Sequence, residues 1–357
     1  MIRIAGSVSK SWLAERLGVA FDRDYYFDTR ARREIDARCN AYVSDNLSDL
    51  NVFYTESNLG RRQWHAPNQV LVGGIQPNMI VGMLLGADFR PAVDADADIS
   101  ERCLAGTDLD ALPPPDDFLA HPLVQQWQRD IEVIFRSSGN TLRPIPPFFW
   151  DGSGRAAVHG AVTSGLKFLG DNFFMDLLSC PDSSRKIVTW LAEISSTLVS
   201  HFSEIGRLPV TGIHVGECVS CMLDVATFRR YVVPATSLLG ERLGALRFHS
   251  CGCSDHIIES CREITGLAEL DVGGSTSVDK IRRVFGPDFP VGIAPLVEDL
   301  RAASESGILS WHERVARENK GGNLTIGFHL ESGYRLENLR ALHAAVAAME
   351  TGQSTLS

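Results

Sequence analysis

Residues 245–272 read ALRFHSCGCSDHIIESCREITGLAELDV. Ala245–His249 and Leu267–Val272 are short apolar runs of strand length, and residues 254–264 between them carry helical spacing. Strand, crossover helix and strand in that order imply a parallel pair, because parallel neighbours need a long connection. The same cadence continues on both sides. Further candidate strands are Ala157–Val162, Gly212–Val215, Pro290–Ile293 and Leu324–Phe328, and helical patterns cover 181–205, 224–243, 276–285, 297–318 and 335–350. Alternating β and α at this spacing gives a parallel sheet, doubly wound or closed into a barrel. Polar and thiol residues gather where the strands end: Glu217 and Cys218, His249 and Cys251, Asp271, then His329. A barrel builds its site from several strand ends, whereas an open sheet gathers its site around one switch point. The expected fold is therefore α/β, a (β/α)8 TIM barrel with an N-terminal extension.

The chain has 357 residues, more than the ~250 typical of such a barrel. We assign residues 1–110 to an extension packed on the barrel and 111–357 to the barrel itself, one structural domain overall. The boundary rests on Ala111-Leu-Pro-Pro-Pro-Asp-Asp117, whose consecutive prolines break regular structure; a first barrel strand upstream of it stays open. Hydrophobic residues make up 44% and charged residues 22%, an ordinary globular balance. The net charge of −10, without lysine or arginine runs, argues against nucleic acid and anionic membrane surfaces as partners. The most apolar stretch, Gln69 to Gly86, is interrupted by Gly73, Gly74, Gln76, Pro77 and Asn78, and the N-terminus lacks the apolar core of a secretory signal. A cytoplasmic protein is the expectation. No dinucleotide, phosphate-loop or nucleophile-elbow motif is present.

Five of the eight cysteines fall within residues 218–261, a clustering that in a reducing compartment points to metal or thiol chemistry rather than disulfides. Within Arg247-Phe-His-Ser-Cys-Gly-Cys253, His249 and Cys251 stand two apart on a strand, so their side chains share a face. Imidazole with thiolate suits zinc; a buried histidine and cysteine that merely pack together are the plain alternative. Two ligands hold a divalent ion poorly, so a third is sought on another strand. His329, after the apolar run Leu324–Phe328, is the preferred third ligand, and Cys218 is the reserve. Cys218 otherwise lines the substrate site. Its C-x-x-C partner Cys221 reads as packing, since no second such pair completes a zinc ribbon. Glu217 and Asp271 are the candidate catalytic carboxylates, for moving a proton or orienting a ligand histidine; Asp271 is equally suited to capping the turn at Gly273-Gly274. His65, in Arg61-Arg-Gln-Trp-His65, is a candidate for receiving an anionic substrate group.

Several of these segments resemble the uroporphyrinogen decarboxylase superfamily. They are Gly165 through Pro181-Asp182, Gly212-Ile-His-Val-Gly-Glu217 through Phe228 and Pro234, His249-Ser-Cys251-Gly252, and Glu337-Asn338-Leu339. The resemblance covers about residues 140–350. It lies nearer the zinc-dependent methyltransferase branch, with its His-x-Cys-Gly, than the true decarboxylases, whose N-terminal arginine-rich motif has only a faint echo in Gly60-Arg-Arg-Gln-Trp64. That branch, exemplified by methylcobamide:coenzyme M methyltransferases, holds zinc with His-x-Cys and a later cysteine. By position His249 and Cys251 match, while His329 stands at or near the later cysteine. The resemblance implies zinc, or another divalent metal, activating a small thiol for methyl transfer. It further implies a corrinoid presented by a partner protein, and a homodimer. Two rival readings remain: a decarboxylase or lyase acting on a small carboxylate, and a thiol- or corrinoid-binding accessory protein without catalysis.

Overall fold

The structure is a computed structural model that describes residues 2–50, 52–53, 68–109 and 111–350. His65, expected to meet an anionic group, lies outside the described residues. Twelve strands are described: β1 (Ile2–Val8), β2 (Val52–Phe53), β3 (Gln69–Leu71), β4 (Phe89–Arg90), β5 (Asp98–Ile99), β6 (Arg143–Ile145), β7 (Arg155–His159), β8 (Gly212–Gly216), β9 (Leu246–Ser250), β10 (Leu267–Val272), β11 (Val291–Ile293) and β12 (Leu324–Leu330). Eight of them form one sheet in the order β2-β1-β12-β11-β10-β9-β8-β7, and every pairing in it is parallel.

The sheet curls but does not close. Among the described residues its edge strands β2 and β7 are not paired, so the expected closed (β/α)8 barrel is corrected to an open, barrel-like curl. The chain between those edges pairs elsewhere: β3 with β6, and β4 with β5, in two small separate sheets. The boundary expected near residue 110 does not separate an extension from the sheet. β1 sits inside the sheet, hydrogen-bonded to β12 over its whole length from Ile2↔Leu324 to Val8↔Leu330.

Strand parity sorts the side chains. Ile213, Val215, Phe248, Leu270, Val272, Ile293, Ile326 and Leu330 are all buried, facing the helices that cover the outer surface. Burial of each such side chain contributes about 1.5–3 kcal/mol as an upper estimate. The opposite parity puts His159, His214, Arg247, His249, Asp271 and His329 on the inner face. Register aligns His159, Gly216, His249, Asp271 and Gly292 in one row across β7 to β11.

Element boundaries differ from the sequence expectation where long-range contacts intervene. The strand expected at Ala157–Val162 stops at His159, and a helix begins at Ala161. The helix expected over 224–243 contains a π-helical turn at Phe228–Val232 just before Pro234, whose ring and missing N–H spoil regular α pairing. The helix expected over 297–318 divides into Val297–Arg301 and Ser306–Asn319. Buried Asn338 causes the break: its Nδ2 donates to the carbonyls of Asp299, Leu300 and Ala302 at 2.8, 3.3 and 3.0 Å, and so ends the first piece.

Candidate functional site

The site grows from the ends of β8 and β9. The Glu217 N–H donates to the His249 carbonyl at 2.9 Å, extending the β8–β9 ladder by one residue. The chain then turns into a short 3-10 helix, Cys218–Met222. Thr163, in the helix Ala161–Leu169, locks that turn. Its hydroxyl oxygen accepts from the Val219 N–H at 3.1 Å, and the same hydroxyl donates to the Glu217 carboxylate. On the neighbouring strand Cys251 follows β9, and Gly252 lets the chain press against Cys221. A Cβ on Gly252 would stand 2.4 Å from the Cys221 Sγ.

This brings Cys218, His249 and Cys251 together, with one ligand atom from each lying within 4.8 Å of the others. Cys251 is exposed, while Cys218 and His249 are half-buried. The two thiols behave oppositely. Cys251 is held well below the ordinary thiol range by hydrogen bonds from Cys218 and His249, and Cys218 is driven above it by the same contact and by burial.

Asp271 governs the histidine. His249 Nδ1 and Asp271 Oδ2 are 2.7 Å apart, and the same oxygen forms an ion pair with Arg247 Nη2 at 3.0 Å. Arg247 Nε also lies 3.0 Å from Glu269 Oε1. Burial opposes charge on His249, but the Asp271 carboxylate and the Cys251 sulfur outweigh it and raise its pKa to about 9. Burial likewise opposes charge on Asp271, and the Arg247 and His249 charges overcome it, keeping the carboxyl ionised. With Nδ1 engaged, the imidazole presents Nε2 to the thiols. His214, His249 and Asp271 also bring donor atoms within 4.8 Å. The guanidinium on Asp271 makes that second group unsuited to a cation.

Glu217 is buried and spends both oxygens on another element. They accept from the backbone N–H groups of Thr163 at 2.6 Å and Val162 at 3.2 Å, capping the helix Ala161–Leu169. Burial pushes its pKa up to about 7 against those hydrogen bonds. Gly160 makes the cap possible, because a Cβ there would sit 2.1 Å from Glu217 Oε2.

His329, the expected third ligand, does not join the thiol group. It lies on β12, three strands from β9, with Nδ1 2.7 Å from Ser7 Oγ, and burial holds its pKa down to about 4. Cys218, the reserve, does join. Sequence reasoning passed over His214 and Arg247. Both share the inward parity of His249, a signal visible once strand limits are known. His214 lies beside both Trp150 and His249, with ring centroids 4.9 and 5.5 Å away and the ring planes tilted by 43° and 37°.

No protein-family model and no curated protein matches the sequence. Among solved structures, a methyltransferase from Methanosarcina mazei superposes with a TM-score of 0.64 at 14% identity, covering 98% of this chain and 94% of its own. That likeness establishes a shared fold over nearly the full length. A B12-independent methionine synthase from Shewanella sp. W3-18-1 superposes at a TM-score of 0.39 and 11% identity, over 64% of this chain and 68% of its own, too slight a likeness to build on. Among the described residues no helix is long and apolar enough to cross a membrane.

Proposed function

We propose that this chain is a metal-dependent alkyltransferase that moves a methyl group to or from a small thiol, with Cys218, His249 and Cys251 holding zinc. The observation that carries the reading is the convergence of those three donors, combined with the Asp271 hydrogen bond that fixes His249. Two sulfurs and one nitrogen are a zinc donor set, and three protein ligands leave a fourth position for a substrate. A carboxylate behind the ligand histidine is the usual support of such a site. When bound, zinc supplies a Lewis acid that favours a substrate thiol in its thiolate form at neutral pH.

The chain's own residues have separate tasks. Asp271 holds the His249 proton on Nδ1, and Arg247 keeps Asp271 ionised and immobile. Glu217 acts on Cys218 from behind, through Thr163 and the helix it caps, rather than on substrate. Cys251, exposed at the strand end, places the group where a methyl donor, such as a corrinoid carried by a partner protein, reaches it.

Elemental analysis of protein purified under reducing, chelator-free conditions, joined to a methylcobalamin-to-thiol transfer assay, tests the proposal. About one zinc per chain is expected, together with thiol-dependent demethylation. Cys251→Ser loses most of the metal and the transfer, because a hydroxyl is a far poorer ligand than a thiolate. Stoichiometric metal retained unchanged in Cys251→Ser overturns the ligand assignment.

A further inference from the structure

Strand register, as well as the thiols themselves, brings Cys218 and Cys251 together. Gly216 pairs with His249 across β8 and β9, and each cysteine stands two residues beyond its own strand's member of that row. Neighbouring strands lie about 4.8 Å apart, inside the Cα separation of roughly 4.4–6.8 Å that a disulfide spans. The two Sγ atoms lie within 4.8 Å of one another, and all eight cysteines are free. Thr163 holds the β8 end of the pair in place through its hydrogen bonds to Val219 and Glu217.

The neighbouring thiols are turned elsewhere. The Cys221 thiol donates to the Cys218 carbonyl oxygen at 3.2 Å, so it points onto its own helical turn. The Cys253 thiol reaches toward the Ser275 carbonyl oxygen at 4.0 Å, and Cys261 is buried. Access also separates the two members of the pair. Cys251 is exposed and Cys218 half-buried, so a small oxidant arriving from solvent meets Cys251 first.

We infer that Cys218 and Cys251 form a reversible redox pair, in which peroxide joins the two sulfurs as a disulfide and so closes the site to metal. The Cys251 sulfur attacks the peroxide; an S–O bond forms, the O–O bond breaks, and hydroxide leaves to become water on taking a proton. The Cys218 sulfur then attacks the Cys251 sulfur; the S–S bond forms, the S–O bond breaks, and the second water departs. Two thiols and one hydrogen peroxide thus give one disulfide and two waters, the sulfurs losing the two electrons that the peroxide gains. With zinc bound, solvent supplies the two protons and the ion is released. A disulfide sulfur has no thiolate charge to offer, so of the three donors only His249 remains, too few to hold the ion. Cys218 also makes the oxidation reversible, since a sulfenic acid with no thiol beside it climbs to the sulfinic acid, which thiols do not reduce. The consequence for metal rests on the zinc reading of the site; the pairing of the sulfurs does not.

Hydrogen peroxide added to the full chain, zinc-loaded and metal-free, tests this, with released zinc read by a chromophoric chelator and cross-links by tryptic mass mapping. Cys218 lies in the tryptic peptide 208–229 and Cys251 in 248–262. The double variant Cys221→Ser/Cys253→Ser leaves Cys218 alone in the first peptide, and Cys251 with the buried Cys261 in the second. A cross-link between these peptides is expected in wild type, in the double variant and in Cys261→Ser. About one zinc should leave for each cross-link formed, and dithiothreitol should reverse the cross-link. A Cys251 that gains oxygen without cross-linking, or a cross-link lost in either variant, overturns the redox pair and leaves the zinc reading standing. Zinc retained on the cross-linked chain places the metal elsewhere and overturns both. A wild type that takes up no zinc overturns the zinc reading alone. The cross-link on that metal-free chain then sustains the pair, and its absence there removes the pair as well.

Discussion

Replacing Asp271 with asparagine removes one charge from the centre of the site and almost no volume. Asp271 Oδ2 meets His249 Nδ1 at 2.7 Å and Arg247 Nη2 at 3.0 Å, with its side chain 13% exposed. Both groups meet that one oxygen, which an amide oxygen can replace in position, so the substitution removes the negative charge opposite Arg247 rather than an acceptor. Removing one partner of a buried ion pair costs about 3–5 kcal/mol. Arg247 retains Glu269 at 3.0 Å, which places the loss at the lower end, about 3 kcal/mol. With ~2.1 cal/mol/K of unfolding entropy per residue, the 357 residues give about 0.75 kcal/mol/K, so melting should fall by about 4 °C. Zinc affinity should fall about 10–100-fold, the usual effect of removing the group that orients a ligand histidine. Calorimetric melting of the metal-free protein reads the first quantity, and competition against a chromophoric chelator reads the second. Glu269→Gln serves as the control: its side chain is 30% exposed, and it should change stability by less than about 1 kcal/mol. An Asp271→Asn protein that melts within a degree of wild type and holds zinc as tightly refutes the role given to this carboxylate.

Gly160→Ala should destabilise the fold by about 1–3 kcal/mol in urea titration, because its Cβ displaces the buried Glu217 cap from the N–H groups of the helix Ala161–Leu169; an unchanged midpoint would falsify the cap. His329 has a folded pKa lowered to about 4 from 6.5. Its stabilising contribution is whole above pH 6.5 and is lost as the pH falls through 4. The gap between wild type and His329→Gln should therefore shift in the variant's favour by on the order of 2–3 kcal/mol from pH 7 to pH 4, and a gap that does not vary with pH contradicts this. Cys218→Ser should lower zinc content sharply while His329→Ala leaves it intact, and the opposite result returns the third ligand to β12.

Alternating strands and helices are legible in this sequence because apolar periodicity is local: the run Leu267–Val272 and the pattern over 181–205 carry their own evidence, and both elements occur as read. The pairing of His249 with Cys251 is equally local, since two-residue spacing on a strand sets a common face. Other features belong to contacts far apart in the chain. Periodicity does not say whether the sheet closes, because closure depends on which strand the chain between β2 and β7 pairs with, and β3 pairs with β6 instead. The choice of Cys218 over His329 is a matter of strand order, which sets β8 next to β9 and β12 three strands away. Glu217 looks from sequence like an acid poised at a strand end; only the fold carries the N–H groups of Val162 and Thr163, more than fifty residues upstream, onto its carboxylate. Asp271 becomes the support of His249 only when β10 pairs with β9 in the register that sets the two residues side by side. Short-range spacing dictates the elements and their faces, and long-range hydrogen bonding dictates which of those faces meet.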